Sequence, residues 1–257
     1  MLEAEKPISL SKEDGIGVIT LDSPPLNIFS AAMMRAINEA VEDVAADKSL
    51  KALAFKANGK AFSAGADVGE HHPDKATEMI GAFGRMFTLL GALELPIIMA
   101  VDGAALGAGF ELVMTADVLL ASEKATFGQP EIRLGFFAPF GVAYLPELVG
   151  TAKAMEITCS GRTYSAEQMR DYGLVSQVVS SDDLNGVMES YLRDFRKASP
   201  LIMRMNTRIL KQLRDKPYEP AHKEAEQIFL EELMATDDVL EGISSFYEKR
   251  KPEWKNK

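Results

Sequence analysis

The same layout recurs in the first half of the chain: a short apolar run, a turn of small residues, then a helical pattern. The apolar runs are four to six residues long, as strands are, and glycine, alanine or proline bounds them. Alternating strands and helices indicate an α/β architecture. The predicted strands lie at 16–21, 52–55, 97–101 and 118–121.

Helices follow these strands and then dominate the rest of the chain. Ser30 is suited to be a helix N-cap and precedes Met33, Ile37 and Val41, which are spaced as one apolar face. Further helices are predicted at 76–93, 110–115, 153–158, 165–172, 184–196, 201–213 and 220–234. Few strand signals follow Gly150.

The chain divides at Ser199-Pro200, because the residue before a proline disfavours helical geometry. We expect a core domain at 1–199 and a helical region at 200–257. Apolar residues of that region, such as Met203 and Ile209, need a surface that buries them. Either the core of the same chain or a second subunit could provide it.

The net charge of −10 over 257 residues excludes a general binder of nucleic acid or membrane surfaces, since clustered Lys and Arg hold phosphates. Basic residues gather only in 249–257, either as a solvated tail or as a contact for an anionic cofactor.

The single cysteine, Cys159, excludes an intramolecular disulfide and favours a reducing compartment. Its apolar neighbours favour a small core residue over a nucleophile. Residues 1–10 lack the apolar run of a signal peptide, and no run reaches the roughly 18 residues of a membrane-spanning helix. We expect a soluble, cytoplasmic protein.

Two of the small-residue turns are candidate ligand sites. In 60–67, small side chains let a ligand approach backbone N–H groups, although such turns also serve tight packing. In 103–111, the glycines lack the spacing of a dinucleotide fingerprint, so a nicotinamide cofactor loses its main support. This turn places Glu111 at a helix start, where a carboxylate could also simply complement the helix dipole.

A third segment, 127–135, places Glu131 directly after Pro130, which fixes the local backbone. Alone, Glu131 could be a turn residue paired with Arg133. Together, the three segments supply backbone donors for an enolate oxygen and two carboxylates. Such a set suits proton transfer next to a thioester carbonyl.

In this order and spacing, the three segments resemble the enoyl-CoA hydratase/isomerase (crotonase) superfamily, and the similarity extends from Ile16 to Pro252. The resemblance implies a spiral of ββα turns closed by a helical C-terminal region, assembled as a trimer or a dimer of trimers. It also implies an acyl-CoA thioester substrate and no separate cofactor, because coenzyme A is part of the substrate. Nucleic acid and membranes are not expected as partners.

The resemblance assigns roles to individual residues. Ala64 and Ala108 would hold the thioester oxygen through their N–H groups, and Glu111 and Glu131 would be the catalytic carboxylates. The backbone expected along coenzyme A comprises Ala64, Gly65, Ala66, Asp67 and Val68. Having both glutamates favours a hydro-lyase that adds or removes water.

One position departs from the hydratase pattern. Eight residues after Glu131, where hydratases usually have a glycine whose N–H helps to hold water, the chain has Pro139. Phe136, Phe137 and Phe140 make this stretch bulky, and they could form a pocket for an alicyclic ring or belong to the core. The stretch resembles the cyclohexa-1,5-diene-1-carbonyl-CoA hydratases of benzoyl-CoA degradation. A double-bond isomerase of the same superfamily is the alternative.

Other candidates carry less information. His71 and His72 have no third ligand at a recognisable spacing, so no metal site is expected. Trp254 is interpreted as a packing anchor. A different class of function, a non-catalytic or RNA-binding scaffold of the same fold, is disfavoured by the acidic charge and the two glutamates.

Overall fold

The computed structural model describes residues 6–257. Residues 1–5, which belong to the predicted core domain and to the segment expected to lack a signal peptide, lie outside the described part. The strands are β1 (Ile8–Glu13), β2 (Ile16–Leu21), β3 (Ala52–Ala57), β4 (Ala61–Ser63), β5 (Ile97–Val101), β6 (Ala104–Leu106), β7 (Val118–Ser122), β8 (Thr126–Gly128), β9 (Thr163–Ser165) and β10 (Gln177–Val179). The α-helices are α1 (Ala31–Ala46), α2 (Ala76–Ala92), α3 (Ala108–Val113), α4 (Pro139–Val149), α5 (Thr151–Ser160), α6 (Ala166–Asp171), α7 (Ser181–Arg196), α8 (Pro200–Leu213), α9 (Tyr218–Glu231) and α10 (Asp237–Glu248). Short 3-10 helices occupy Val68–His71, Pro130–Leu134 and Leu233–Ala235.

The strands form two sheets. The larger has the order β1-β2-β3-β5-β7-β10, and the smaller has the order β4-β6-β8-β9. Both are parallel except at one edge, where β1 pairs antiparallel with β2 and β9 pairs antiparallel with β8. Each of the pairs β3-β4, β5-β6 and β7-β8 contributes one strand to each sheet and then leads into a helix. The predicted α/β class and the spiral of ββα turns are confirmed.

The larger sheet is covered on both faces. In β3, Leu53 and Phe55 belong to the main core, which also contains apolar residues of α1 and α2. Ala52 and Ala54 face the other way, into a cluster with Leu184 of α7. This alternation follows from the pleat of a strand, and burial on both sides explains why the parallel strands are apolar throughout.

Several elements differ from the sequence predictions. Strands β1, β4, β6, β8, β9 and β10 and helices α4 and α10 are additional, and two of these strands, β9 and β10, lie in the part where few were expected. The interpretation of Cys159 as a core residue is wrong, because its side chain is exposed. The buried residues of α5 are Ala154 and Ile157, and a residue two positions beyond Ile157 points to the opposite face of a helix.

The helical C-terminal region begins at the predicted break. Pro200 is the first residue of α8, and the side chain of Ser199 caps this helix. Buried Arg204 donates a hydrogen bond to the carbonyl of Lys48. Lys211 donates to two carbonyls at the C-terminal end of α2, at 3.2 and 2.7 Å. Helix α8 therefore packs on the core of its own chain, while the division into two domains stays a prediction.

The last helices leave apolar surface exposed. The exposed large side chains are Tyr218, Phe229, Leu230, Met234, Leu240, Ile243, Phe246 and Tyr247. Exposed apolar surface on this scale is typical of protein–protein contacts. Trp254 anchors the end of the chain as predicted, since its Nε1 donates to the carbonyl of Lys197 at 2.9 Å. Within residues 6–257, no helix has both the length and the apolar character needed to cross a membrane.

Candidate active site

A cavity of about 100 Å³ gathers residues from all three small-residue segments. Its walls include residues of 64–68, 107–111 and 130–139. These segments meet because β4, β6 and β8 are parallel neighbours in the smaller sheet, so their carboxyl ends lie at one edge. The polar side chains that line the cavity are Glu111, Glu131 and His71.

The three segments approach one another so closely that glycine is needed at two positions, Gly107 and Gly109. Gly107 has φ +53°, and a Cβ there would lie 2.6 Å from Oε1 of Glu131 and 3.6 Å from Cα of Gly65. A Cβ on Gly109 would lie 2.6 Å from Cβ of Ser63. Without side chains at these positions, Gly107 lies directly against the carboxylate of Glu131, and the start of α3 packs against Ser63 of β4.

Two N–H groups beside the cavity, those of Ala66 and Ala108, have no acceptor among residues 6–257. Ala108 is the first residue of α3, where an N–H has no partner within the helix. Ala66 lies opposite Phe29 in a parallel bridge whose hydrogen bonds use the carbonyl of Gly65 and the N–H of Asp67. Two such donors can hold a carbonyl oxygen that gains negative charge.

The prediction that Ala64 supplies one of these donors is wrong. Its N–H already donates to the carbonyl of Leu26 at 2.9 Å. Gly65, with φ +110°, then turns the backbone in a direction that other residues rarely adopt. The next N–H, that of Ala66, is left available. The donor pair at the cavity is therefore Ala66 and Ala108.

Glu111 is a buried carboxylate, 2% exposed, that caps a second helix. Its Oε1 accepts hydrogen bonds from the N–H groups of Phe140 at 2.8 Å and Gly141 at 2.7 Å, in the first turn of α4. Burial raises the pKa of Glu111 to about 8, and the charge of Glu131 adds to this rise, whereas the two N–H groups oppose it. Glu111 therefore favours the protonated form near neutral pH, and Oε2 is the oxygen free to carry the proton.

Glu131 is half-buried on the 3-10 helix Pro130–Leu134. With the NH₂ group of Gln129 oriented toward it, both carboxylate oxygens accept hydrogen bonds from that amide, at 3.0 and 2.9 Å. Burial raises the pKa of Glu131, whereas its own backbone N–H and the nearby His71 oppose the rise. Gln129 is not among the predicted site residues, although its place two residues before Glu131 was an available signal.

The bulky stretch expected to form a substrate pocket contributes fewer residues to the cavity than predicted. Phe136, Phe137 and Pro139 line the cavity, and both phenylalanine rings are exposed to solvent. The prediction that Phe140 also lines it is wrong, because its ring stacks on Phe87 at a centroid distance of 3.7 Å, against a different cavity. The backbone N–H of Phe140 contributes to the site instead, because it donates to Oε1 of Glu111. Pro139 is the first residue of α4, a position where a helix does not use an N–H.

The segment expected along coenzyme A borders the same cavity. Its lining residues are Ala64, Gly65, Ala66 and Val68. Asp67 has a structural contact instead, because its carboxylate accepts from the N–H of Gly69 at 2.7 Å and caps the 3-10 helix Val68–His71. Val68 is 58% exposed, and an apolar side chain beside a cavity suits contact with a ligand.

The two neighbouring histidines have different surroundings. His71 lines the cavity, whereas His72 is exposed and contacts Asp74. From the sequence both histidines were candidates only as metal ligands, so the place of His71 in the cavity was not predicted. Across residues 6–257, no group of three His, Cys, Asp or Glu side chains is placed to hold a metal ion.

Comparisons with known proteins point to one family. The sequence profile of the family described as Enoyl-CoA hydratase/isomerase matches residues 11–257. The chain is 32% identical to a Thauera aromatica protein named cyclohexa-1,5-dienecarbonyl-CoA hydratase, with 100% of both chains covered. It is 33% identical to the 2,3-dehydroadipyl-CoA hydratase of Escherichia coli K12, covering 96% of this chain and 98% of that one. A crystal structure of a Mycobacterium smegmatis enoyl-CoA hydratase is similar with a TM-score of 0.89 and 30% identity, over 97% of this chain and 99% of that one.

Proposed function

The chain belongs to the enoyl-CoA hydratase/isomerase family, and from that premise we propose that it adds water to, or removes it from, a conjugated enoyl-CoA thioester. One observation carries the proposal: Glu111 and Glu131 line one cavity beside the available N–H groups of Ala66 and Ala108. Two carboxylates can supply the proton donor and the proton acceptor that water addition requires.

In this proposal, the N–H groups of Ala66 and Ala108 bind the thioester oxygen. Attack of water on the β-carbon moves negative charge onto that oxygen, so donors fixed in advance stabilise the transition state more than the substrate. Loss of one such donor typically costs roughly 3 to 4 kcal/mol of activation free energy. Both donors are backbone atoms, so their placement depends on the glycine turns.

The two glutamates take different proton steps. Glu131, held by Gln129, accepts a proton from water while the hydroxyl group bonds to the β-carbon. Glu111, the more deeply buried of the two, gives the proton on Oε2 to the α-carbon. A proton then passes from Glu131 back to Glu111, which restores the starting pair. One water molecule is consumed and no other reactant is needed.

We extend the proposal to an alicyclic diene of aromatic-compound degradation. Phe136, Phe137 and Pro139 form an apolar wall that suits a ring, and the Thauera aromatica relative is named for such a substrate. Pro139 has no N–H to hold water, so linear enoyl-CoA substrates are expected to react slowly. The lack of an N–H at Pro139 also favours the second candidate, a double-bond isomerase. In that reaction one glutamate moves a proton and no water enters.

Assembly as a trimer or a dimer of trimers belongs to the same proposal. The exposed apolar side chains of α9 and α10 support it, since contact between subunits would remove them from water. We place the protein in the cytoplasm, in keeping with its single unpaired cysteine, Cys159.

Incubation in oxygen-18 water tests the function. The purified protein would be given cyclohexa-1,5-diene-1-carbonyl-CoA, crotonyl-CoA and an aromatic enoyl-CoA, and the products analysed by mass spectrometry. We expect rapid labelling of a hydroxyl group on the ring and slow labelling from crotonyl-CoA. A shifted double bond without label would identify an isomerase. Fast hydration of crotonyl-CoA with no turnover of the ring would refute the alicyclic assignment but not the hydratase.

A further inference from the structure

His71 is a third polar side chain of the cavity, and the proposed proton steps leave it without a role. The other lining side chains are apolar, including Met79 and Phe83 of α2 and the exposed rings of Phe136 and Phe137. A polar group in apolar surroundings costs free energy unless it has a partner. Ligand pockets use such isolated polar groups to fix orientation.

The structure holds the His71 ring in one orientation. Its Nδ1 bonds to the carbonyl of Asp67 at 2.9 Å, and its ring lies 4.8 Å from the ring of Phe136, centroid to centroid. The 3-10 helix that carries it is attached to α1 through Glu70, whose Oε2 accepts from the N–H of Ala31 at 2.7 Å. The ring is therefore positioned before any ligand binds.

The bond to Asp67 assigns the tautomer. A carbonyl oxygen only accepts hydrogen bonds, so Nδ1 carries the hydrogen and Nε2 of the neutral ring presents a lone pair. Nε2 has no hydrogen-bond partner in the part of the chain that the structure describes. It is an acceptor that an O–H group in the cavity can use.

Glu131 lies near His71 without pairing with it. The two side chains lie close enough together to interact electrostatically. They form no direct hydrogen bond or ion pair, although both line the cavity. A small oxygen-containing group bound in this cavity therefore has both side chains among its walls.

Resting on the proposed hydration, we propose that Nε2 of His71 accepts a hydrogen bond from the transferred O–H group, first in water and then in the product hydroxyl. The water then donates one hydrogen to Glu131, which removes it, and the other to His71, which only holds it. The lone pair that attacks the β-carbon is thereby oriented. His71 is unchanged by the step, and it supplies a contact for water where Pro139 has no N–H.

Three variants separate this hydrogen bond from packing. His71→Phe keeps an aromatic ring beside Phe136 but has no acceptor. His71→Gln offers a side-chain oxygen as a substitute acceptor. His72→Ala is the matched control, because His72 is exposed and contacts Asp74 rather than the cavity.

Steady-state kinetics on the best substrate give the first readout. We expect His71→Phe to lower kcat by about 10- to 100-fold and to change KM by less than about twofold, because the contact tightens on the transferred oxygen and not on coenzyme A. His71→Gln should recover part of the loss, and His72→Ala should match the wild type. Equal activity of His71→Phe and His72→Ala would overturn the proposal.

Calorimetric binding gives a second readout that needs no turnover. In a Glu111→Gln background, which prevents turnover during the titration, 3-hydroxybutyryl-CoA is compared with butyryl-CoA, and hydroxycyclohexenecarbonyl-CoA with cyclohexenecarbonyl-CoA. Within the pair that binds more tightly, we expect about a 3- to 10-fold preference for the hydroxylated member, and His71→Phe should abolish it.

An unchanged preference in His71→Phe, or equal weakening of both members of a pair, would refute the contact with the hydroxyl. Absence of oxygen-18 incorporation by the wild type would instead refute the proposed function. The calorimetric comparison would still report on the hydroxyl contact in that case.

Discussion

Replacing Glu111 with Gln should make the stability of the protein less dependent on pH. Burial and the charge of Glu131 raise the pKa of Glu111 from 4.5 to about 8. A raised carboxyl pKa contributes stability that is fully present below about pH 4.5 and is lost as pH rises through about 8. At about pH 6 the folded-state pKa of Glu111 still lies about two units higher, so the ionisation of Glu111 alone should lower the free energy of unfolding by about 3 kcal/mol between about pH 6 and pH 9.

Glutamine keeps an oxygen that can accept from Phe140 and Gly141 but has no proton to lose. Urea unfolding at fixed protein concentration, at both pH values, measures the difference. The Glu111→Gln curve should be flatter by about 3 kcal/mol, whereas Glu123→Gln, at an exposed carboxylate, should follow the wild type. Parallel pH dependence of Glu111→Gln and the wild type would show that Glu111 is ionised in the folded state, and its assignment as the proton donor would be wrong.

Four further outcomes are expected. Glu111→Gln and Glu131→Gln should each lower kcat by about 100-fold or more, and the double variant should lose less than the product of the two. Gln129→Leu removes donors to the Glu131 carboxylate, so the acidic limb of its pH–rate profile should move to higher pH. Pro139→Gly should raise activity on crotonyl-CoA relative to the cyclic diene, by about one power of ten in the ratio of kcat/KM. The region 200–257 is expected to make oligomer contacts and to close the coenzyme A site, so its deletion should give insoluble protein or lost coenzyme A affinity in a titration. A soluble, active truncation would contradict both roles.

The framework could be predicted because it depends on local sequence patterns, and the two glutamates of the cavity were singled out because their segments resemble those of a known family. Strands of five or six residues and helices with one apolar face show their periodicity directly. The strands of the smaller sheet, β4, β6 and β8, have three residues each, too few to show a period of two. In the sequence, only the turns of small residues next to these strands could be recognised, and not the strands themselves.

The finer errors concern contacts between distant parts of the chain. The N–H of Ala64 is occupied because the carbonyl of Leu26 lies against it, and no local pattern places those two residues together. Phe140 was assigned to the pocket with its neighbours, but the start of α4 turns its ring toward Phe87. To predict that His71 lies in the cavity, one would need to know which loop lies near Glu131.

If every residue were substituted and the variants selected for activity, some of the positions that tolerate least change would be glycines. At Gly107 and Gly109, even alanine would place a carbon 2.6 Å from an existing atom. The site therefore depends on positions that must have no side chain, and a list of its functional groups would not include them. Acceptable variation should concentrate at Phe136 and Phe137, whose rings face solvent at their outer edges. Substrate range could thus diverge among descendants of this protein while the geometry around the carboxylates stays the same.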